Sequence, residues 1–375
     1  MMDTGAERRT DTGRALRIAV ILGTRPEIIK MSPVIRALGG SGSDYFILHT
    51  GQHYSYNMDR VFFESLRLPP PKYNLGVGSG THAEETGHML IGIEKILKAE
   101  MLDAVLVEGD TNSVLAGALA ASKLGIKVGH VEAGLRSFDR TMPEEINRVL
   151  TDHISDYLFA PTEVAKSNAL REGIDEAKIY VTGNTVVDAV SQNLKIANES
   201  GTRPPGMPEG HYILLTLHRQ ENVDSPQKLK CIMEGLALVS GKFGLPILYP
   251  AHPRTRKRFQ EYGMAMPAEV QLMEPLDYLA FLKIEGGADL ILTDSGGVQE
   301  EACILKVPCV TLRENTERPE TVDCGANVLA GTDPESILSK ASIMMGSDRK
   351  WINPFGDGKS AERIISILSH AISKN

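Results

Sequence analysis

The sequence predicts an α/β protein built from two doubly wound parallel-sheet halves of similar size. Three observations carry this reading. Short, nearly continuous apolar runs alternate with amphipathic helical stretches, as strands do when helices cover both faces of their sheet. The alternation stops once, at the Gly- and Pro-rich stretch NESGTRPPGMPEG (198–210), and then resumes. Acidic and histidine residues gather where strands end, which is where open parallel sheets bind ligands.

In the first half the strand runs are RIAVIL (17–22), DYFILHT (44–50), DAVLVEG (103–109), KVGHVEA (127–133), YLFAP (157–161) and KIYVTG (178–183). Amphipathic stretches such as residues 83–99 and 112–123 fall between them. Residues 183–210 read as a linking helix followed by a loop. The second series is YILLTLH (212–218), PILYPAH (246–252), VQLMEP (270–275), DLILTDSG (289–296) and PCVTL (308–312). This divides the chain into a polar tail (1–15), an N-terminal domain (16–183) and a C-terminal domain (184–355), with a cleft between the halves.

Composition narrows the function. The 375 residues carry a net charge of −8, which argues against nucleic-acid or membrane-surface partners and requires any anion site to be a local positive patch. Four cysteines, none in a CxxC pair, read as free thiols of a reducing compartment. No apolar run approaches the ~20 residues of a membrane span, and the tail lacks the apolar core of a signal peptide. A cytoplasmic location is the expectation.

Several strand ends carry candidate chemistry. Asp294-Ser295-Gly296-Gly297 follows a strand and opens a helix, so backbone N–H groups and the helix dipole face a ligand there, as suits a phosphate; Ser295 would serve equally as a plain helix cap. Glu300 and Glu301 lie one turn further on, placed to accept from ribose hydroxyls or merely to offset the dipole. Gly23-Thr24-Arg25-Pro26-Glu27 forms the first strand-to-helix turn, with Arg25 and Lys30 near an anion position. Asp110, Glu132 and Glu144 are three acids at strand or helix ends of one domain, where burial and mutual repulsion would raise some pKa values toward those needed for general acid–base work. His218 beside Arg219 suits a diphosphate or proton donation. GVGSG (76–80) and GKS (358–360) lack the strand context of phosphate loops, and His49 and His53 straddle Gly51 at a strand end, so no metal is expected. The first strand lacks a GxGxxG fingerprint, which disfavours a redox cofactor.

Together these segments resemble the non-hydrolysing UDP-N-acetylglucosamine 2-epimerases. The matching stretches are GTRPEIIKMSPV (23–34), TGQHYSYNMD (50–59), VEGDTNS (107–113), GHVEAGLRS (129–137), PEEINR (143–148), TGNTVVDA (182–189), TLHRQEN (216–222), YPAHPRT (249–255), LTDSGGVQEEA (292–302) and ERPE (317–320), in family order over nearly the whole chain. The resemblance implies a GT-B-like pair of Rossmann-like domains, with a final helix (356–375) crossing back to the first. It implies UDP held mainly by the second domain: Ser295, Gly296 and Gly297 at the phosphates, Glu301 at the ribose, and Arg25, His218 and Arg318 adding charge. Asp110, Glu132 and Glu144, with His218, match the acid–base groups, and Lys30, Gln52, His53 and His252 match a site for a second, activating UDP-N-acetylglucosamine. The implied reaction inverts C2 through elimination of UDP and its re-addition, without a cofactor, in a homodimer. Rival readings are an epimerase of a UDP-2,3-diacetamido uronate, a GT-B glycosyltransferase, a hydrolysing epimerase and a non-catalytic nucleotide-sugar sensor. Three acids in the first domain favour proton transfer over the transferase and the sensor.

Overall fold

The computed structural model describes residues 15–51, 56–199, 201, 203–251 and 253–373. The chain forms two compact units. One comprises the chain up to Ser191 together with Phe355 onward, and the other is Gln192–Pro354.

The first unit is built from β1 (Arg17–Leu22), α1 (Arg25–Gly40), β2 (Asp44–His49), α2 (Tyr56–Ser65), β3 (Tyr73–Asn74), α3 (His82–Ala99), β4 (Ala104–Glu108), α4 (Asn112–Lys123), β5 (Lys127–Val131), α5 (Pro143–Ile154), β6 (Tyr157–Ala160), α6 (Glu163–Arg171) and β7 (Ile179–Val181). Its strands lie in the order β3-β2-β1-β4-β5-β6-β7. Every pairing is parallel. The order reverses between β1 and β4, so the loops leaving these two strands flank the crevice where such sheets take ligands.

Helix α7 (Thr185–Glu199) begins in this unit and ends in the next. The second unit continues with β8 (Ile213–Thr216), α8 (Gln220–Val223), α9 (Pro226–Phe243), β9 (Ile247–Pro250), α10 (Pro253–Glu261), β10 (Val270–Met273), α11 (Tyr278–Gly287), β11 (Leu290–Thr293), α12 (Gly296–Leu305), β12 (Cys309–Thr311), α13 (Pro319–Asp323), β13 (Asn327–Leu329) and α14 (Pro334–Met345). Its sheet is β10-β9-β8-β11-β12-β13, again all parallel, with the reversal between β8 and β11. The expected doubly wound sheets are therefore both present.

The apolar runs form strands because both sheet faces are covered. Within β8 and β11, Ile213, Leu215, Leu290 and Leu292 join one buried cluster, while Leu214 and Ile291 join another. This is the period-two alternation of a strand, with apolar residues on both faces. In β4 all five residues are buried. Each fully buried Val, Leu or Ile contributes roughly 1.5–3 kcal/mol relative to exposure.

The last helix, α15 (Ser360–Ser373), belongs to the first unit and packs on α1, as expected for a crossing-back helix. Its first turn is anchored by Asp188, whose carboxylate accepts from the Ser360 N–H at 3.2 Å and the Ala361 N–H at 3.0 Å.

Candidate functional site

In the first unit the turn leaving β1 fits under its neighbours only because residue 23 is glycine. A Cβ there would meet Ser113 Oγ at 2.1 Å and Thr50 Oγ1 at 2.2 Å. Those two hydroxyls are hydrogen-bonded to each other at 2.8 Å, closing β2 against the start of α4. The turn itself is held by Glu27, which is 2% exposed. Its carboxylate accepts from the Gly23 N–H at 2.6 Å, from Thr24 Oγ1 at 2.9 Å and from Thr111 Oγ1 at 2.7 Å. Burial pushes this carboxyl up to about 7, although hydrogen bonds from Thr111, Gly23 and Thr24 oppose the shift.

Asp110 sits in the loop after β4 and is paired with Arg148 of α5. The Asp110 carbonyl accepts from Asn147 Nδ2 at 2.9 Å. Glu132 sits in the loop after β5 in the left-handed region, at φ +68°, an uncommon conformation for a side chain of this size. Its carboxylate accepts from Lys30 Nζ at 2.5 Å, and Lys30 also lies 3.3 Å from Glu108. Burial pushes the Glu108 carboxyl well above the usual carboxylate range; Lys30 opposes this and Glu132 adds to it.

The strained loop around Glu132 has a rigid support. Gly134 takes φ +81°, and a Cβ there would lie 2.3 Å from the Ala165 carbonyl oxygen. Asp152, fully buried, accepts from the Gly134 N–H at 3.0 Å and is paired with Arg136 at 2.7 Å. His130 links the two acid-bearing loops, with Nε2 2.8 Å from the Gly109 carbonyl and Nδ1 2.6 Å from Asp152. A carbonyl only accepts, so Nε2 carries the hydrogen. Burial raises the Asp152 carboxyl, but His130 and then Arg136 outweigh it and hold the group below the usual range.

Asp110 and Glu132 thus lie on neighbouring, interlocked loops. Glu144 stands in the first turn of α5 and is exposed. The buried acid of that helix is its neighbour Glu145, which accepts from the backbone of Ser137 and Phe138 at 2.9 and 3.0 Å. Arg25 is partly buried, with its guanidinium over the Phe62 ring. Gln52, His53 and His252 lie outside the described residues.

In the second unit the organising residue at the crevice is Asp294. It is fully buried, and it accepts from the His218 N–H at 3.1 Å, the Arg219 N–H at 2.9 Å and Asn222 Nδ2 at 3.3 Å. This joins the loop after β8 to the loop after β11. His218 is exposed, and its Nδ1 lies 3.1 Å from Asp294. Ser295 is the N-cap of α12, yet its side chain makes no cap hydrogen bond. Gly296 and Gly297 open the helix, with Gly297 exposed. Arg318 pairs with buried Glu300 at 2.8 Å. Glu317, beside Gly296, is gripped by Arg313 at 2.8 Å and approached by Arg219 at 3.6 Å. Burial pushes Glu317 up, but Arg313 and Arg219 outweigh it and hold the carboxyl at about 2. Glu301 accepts from the Tyr278 hydroxyl at 3.0 Å and faces Glu285, a buried acid that desolvation and the Glu301 charge push well above the usual range. Among the described residues no group of three His, Cys, Asp or Glu is placed to hold a metal ion.

A family model described as UDP-N-acetylglucosamine 2-epimerase matches residues 37–369. The chain belongs to this epimerase family. It is 59% identical over 363 residues to the UDP-N-acetylglucosamine 2-epimerase of Methanocaldococcus jannaschii, covering 95% of this chain and 99% of that one. It is 57% identical over 360 residues to the enzyme of the same description from Methanococcus maripaludis, covering 94% of this chain and 98% of that one. The crystal structure of the M. jannaschii UDP-GlcNAc 2-epimerase in complex with UDP-GlcNAc and UDP superposes with a TM-score of 0.83 at 58% identity, covering 95% of this chain and all of that one. Within this epimerase family, Glu27, Glu108 and Asp294 are residues that the sequence motifs contain but to which they assign no individual role. Each stands within or beside a motif already singled out, but its importance lies in burial, which no single motif discloses.

Proposed function

We propose that the protein is a UDP-N-acetylglucosamine 2-epimerase that interconverts UDP-N-acetylglucosamine and UDP-N-acetylmannosamine. The observation that carries the reading is the pair of interlocked loops bearing Asp110 and Glu132, each acid held by a cation, Arg148 and Lys30, in a chain of this family. The C2 hydrogen has no adjoining carbonyl to acidify it, so direct proton exchange is unfavourable. In elimination a carboxylate takes the C2 hydrogen as a proton, the C2–H electron pair becomes the C1=C2 bond, and the C1–O bond breaks to release UDP. In the return step UDP oxygen bonds to C1 and an acid delivers a proton to the opposite face of C2. Two groups of opposite protonation are required, and Asp110, Glu132 and Glu144 are the candidates. Fixed positive charge must stabilise the departing diphosphate. Arg25, His218 and Arg318 fit that need, with the N–H groups of Ser295, Gly296 and Gly297 at the phosphates and Glu301 at the ribose. Lys30, Gln52, His53 and His252 are proposed to take a second UDP-N-acetylglucosamine as activator. Lys30 also contacts Glu132, so occupancy of that site would alter the charge around a reacting carboxylate. We place the enzyme in the cytoplasm as a homodimer, on family resemblance.

The test is incubation with UDP-N-acetylglucosamine in deuterated water, followed by NMR of the products. The expected result is a mixture of both UDP-sugars with deuterium at C2. Epimer that retains protium at C2, or no epimer at all, would refute the mechanism. Release of free N-acetylmannosamine would instead identify a hydrolysing enzyme, and turnover of a UDP-2,3-diacetamido uronate alone would identify the sister epimerase.

A further inference from the structure

We propose that Glu27 is a positioning residue for the epimerisation: its carboxylate ties the turn after β1 to the turn after β4 and thereby fixes where Asp110 presents its own carboxyl group. The inference rests on the reading that Asp110 takes part in proton transfer.

An acid three residues past the N-cap of a helix is common, and its ordinary work is to satisfy N–H groups of its own turn in contact with water. Glu27 departs from that pattern in two respects. It is 2% exposed, where a simple capping acid remains solvated. One of its three donors, Thr111 Oγ1 at 2.7 Å, comes from a segment 84 residues away, across the point where the strand order reverses. Thr111 occupies the N-cap position of α4, yet its side chain makes no cap hydrogen bond there. Its hydroxyl is committed to Glu27 instead.

Thr111 directly follows Asp110. The Asp110 peptide is therefore held twice, by Asn147 on its carbonyl at 2.9 Å and by Glu27 through the next residue. Arg148 holds the carboxylate end. The same Glu27 carboxylate fixes Gly23 and Thr24 at 2.6 and 2.9 Å, immediately before Arg25. One buried group thus sets the spacing of two loops that present, on one side, a proposed proton-transfer acid and, on the other, a proposed diphosphate-binding arginine. Burial is the main cause of the raised Glu27 carboxyl, and the charge of Asp110 adds to it.

Glu27→Gln tests this at nearly constant side-chain volume. The amide offers one acceptor oxygen where the carboxylate offers two, so it cannot serve the Gly23 N–H and the threonine hydroxyls together, and the anchor between the two turns is weakened. A small misplacement of a reacting group costs up to about a hundredfold in rate. The expected result is a fall in kcat of about tenfold to a hundredfold, with KM for UDP-N-acetylglucosamine within about threefold of wild type. Because Glu27 acts through Asp110, the same substitution in an Asp110→Asn background should lower the residual rate by less than about twofold. Thr111→Val removes the bridge from its other end and should reproduce the kcat-selective loss; it decides the matter if Glu27→Gln fails to melt cooperatively. Equal losses from Glu27→Gln in both backgrounds, or unchanged kcat in the folded variants, would overturn the inference while leaving an inactive Asp110→Asn as support for the site. Full activity of Asp110→Asn would overturn the reading of the site and this inference with it.

Discussion

Burial moves two titratable side chains of the first unit in opposite directions, and each has a consequence for stability. Burial pushes Glu27 up to about 7, and it pushes His49, 1% exposed and edge-to-face with Phe63, down to about 4. A carboxyl raised above its unfolded value contributes stability that is complete below the unfolded pKa and is lost as pH rises through 7. A histidine lowered below its unfolded value contributes stability that is present above about 6.5 and is lost as pH falls toward 4. Between pH 7 and pH 5 each effect amounts to about 2 kcal/mol, with opposite signs, so they nearly cancel in the wild type. Single variants should expose them. His49→Asn should make the folded state gain stability on acidification from pH 7 to pH 5 relative to wild type, and Glu27→Gln should make it lose stability. Urea denaturation at both pH values measures this; identical pH dependence in all three proteins would disprove the assignments. The sequence displayed Glu27 inside the GTRPE turn, beside Arg25, and displayed Glu108 in VEGD beside Asp110. What it could not display is that the neighbour of each chosen candidate is the desolvated one, because strand alternation and helix phase decide burial residue by residue. Glu144 and Glu145 make the same point in reverse, the first exposed and the second enclosed.

At the scale of elements, the longer strands and helices were legible because each satisfies a local pattern over enough residues. The sequence predicts a helix over residues 112–123, and α4 occupies that span. Two short strands, β3 with two residues and β13 with three, are not among the runs read from the sequence. Their pairing with β2 and β12 is a tertiary decision. The return of α15 to the first unit was expected from family resemblance, but its anchor was not. Asp188 receives the first two N–H groups of that helix from a position 172 and 173 residues away. Asp188→Ala would leave both donors buried without an acceptor, and a loss of about 2 kcal/mol is expected. A guanidinium denaturation midpoint shifted by the equivalent of less than about 0.5 kcal/mol would show that water replaces the carboxylate.

At the scale of the molecule, two parallel sheets each reverse their strand order once, and each unit brings its own candidate chemistry to that reversal. If the second unit holds UDP, saturating nucleotide must stabilise the folded protein by mass action, about 2.7 kcal/mol at a hundred times Kd. Hydrogen exchange should slow most at the amides of residues 294–301 and in the loop after β8; slowing absent from those segments would contradict the assignment of the nucleotide to that unit. The sequence by itself determined the fold class and the family, because apolar periodicity and motif order are properties of the chain. Only the tertiary structure decided which acids are desolvated, which cations hold them, and that Glu27, Thr111 and Asp110 form one connected unit. Those facts depend on groups distant in sequence meeting where water is excluded, and exclusion of water belongs to the packed fold rather than to any stretch of chain.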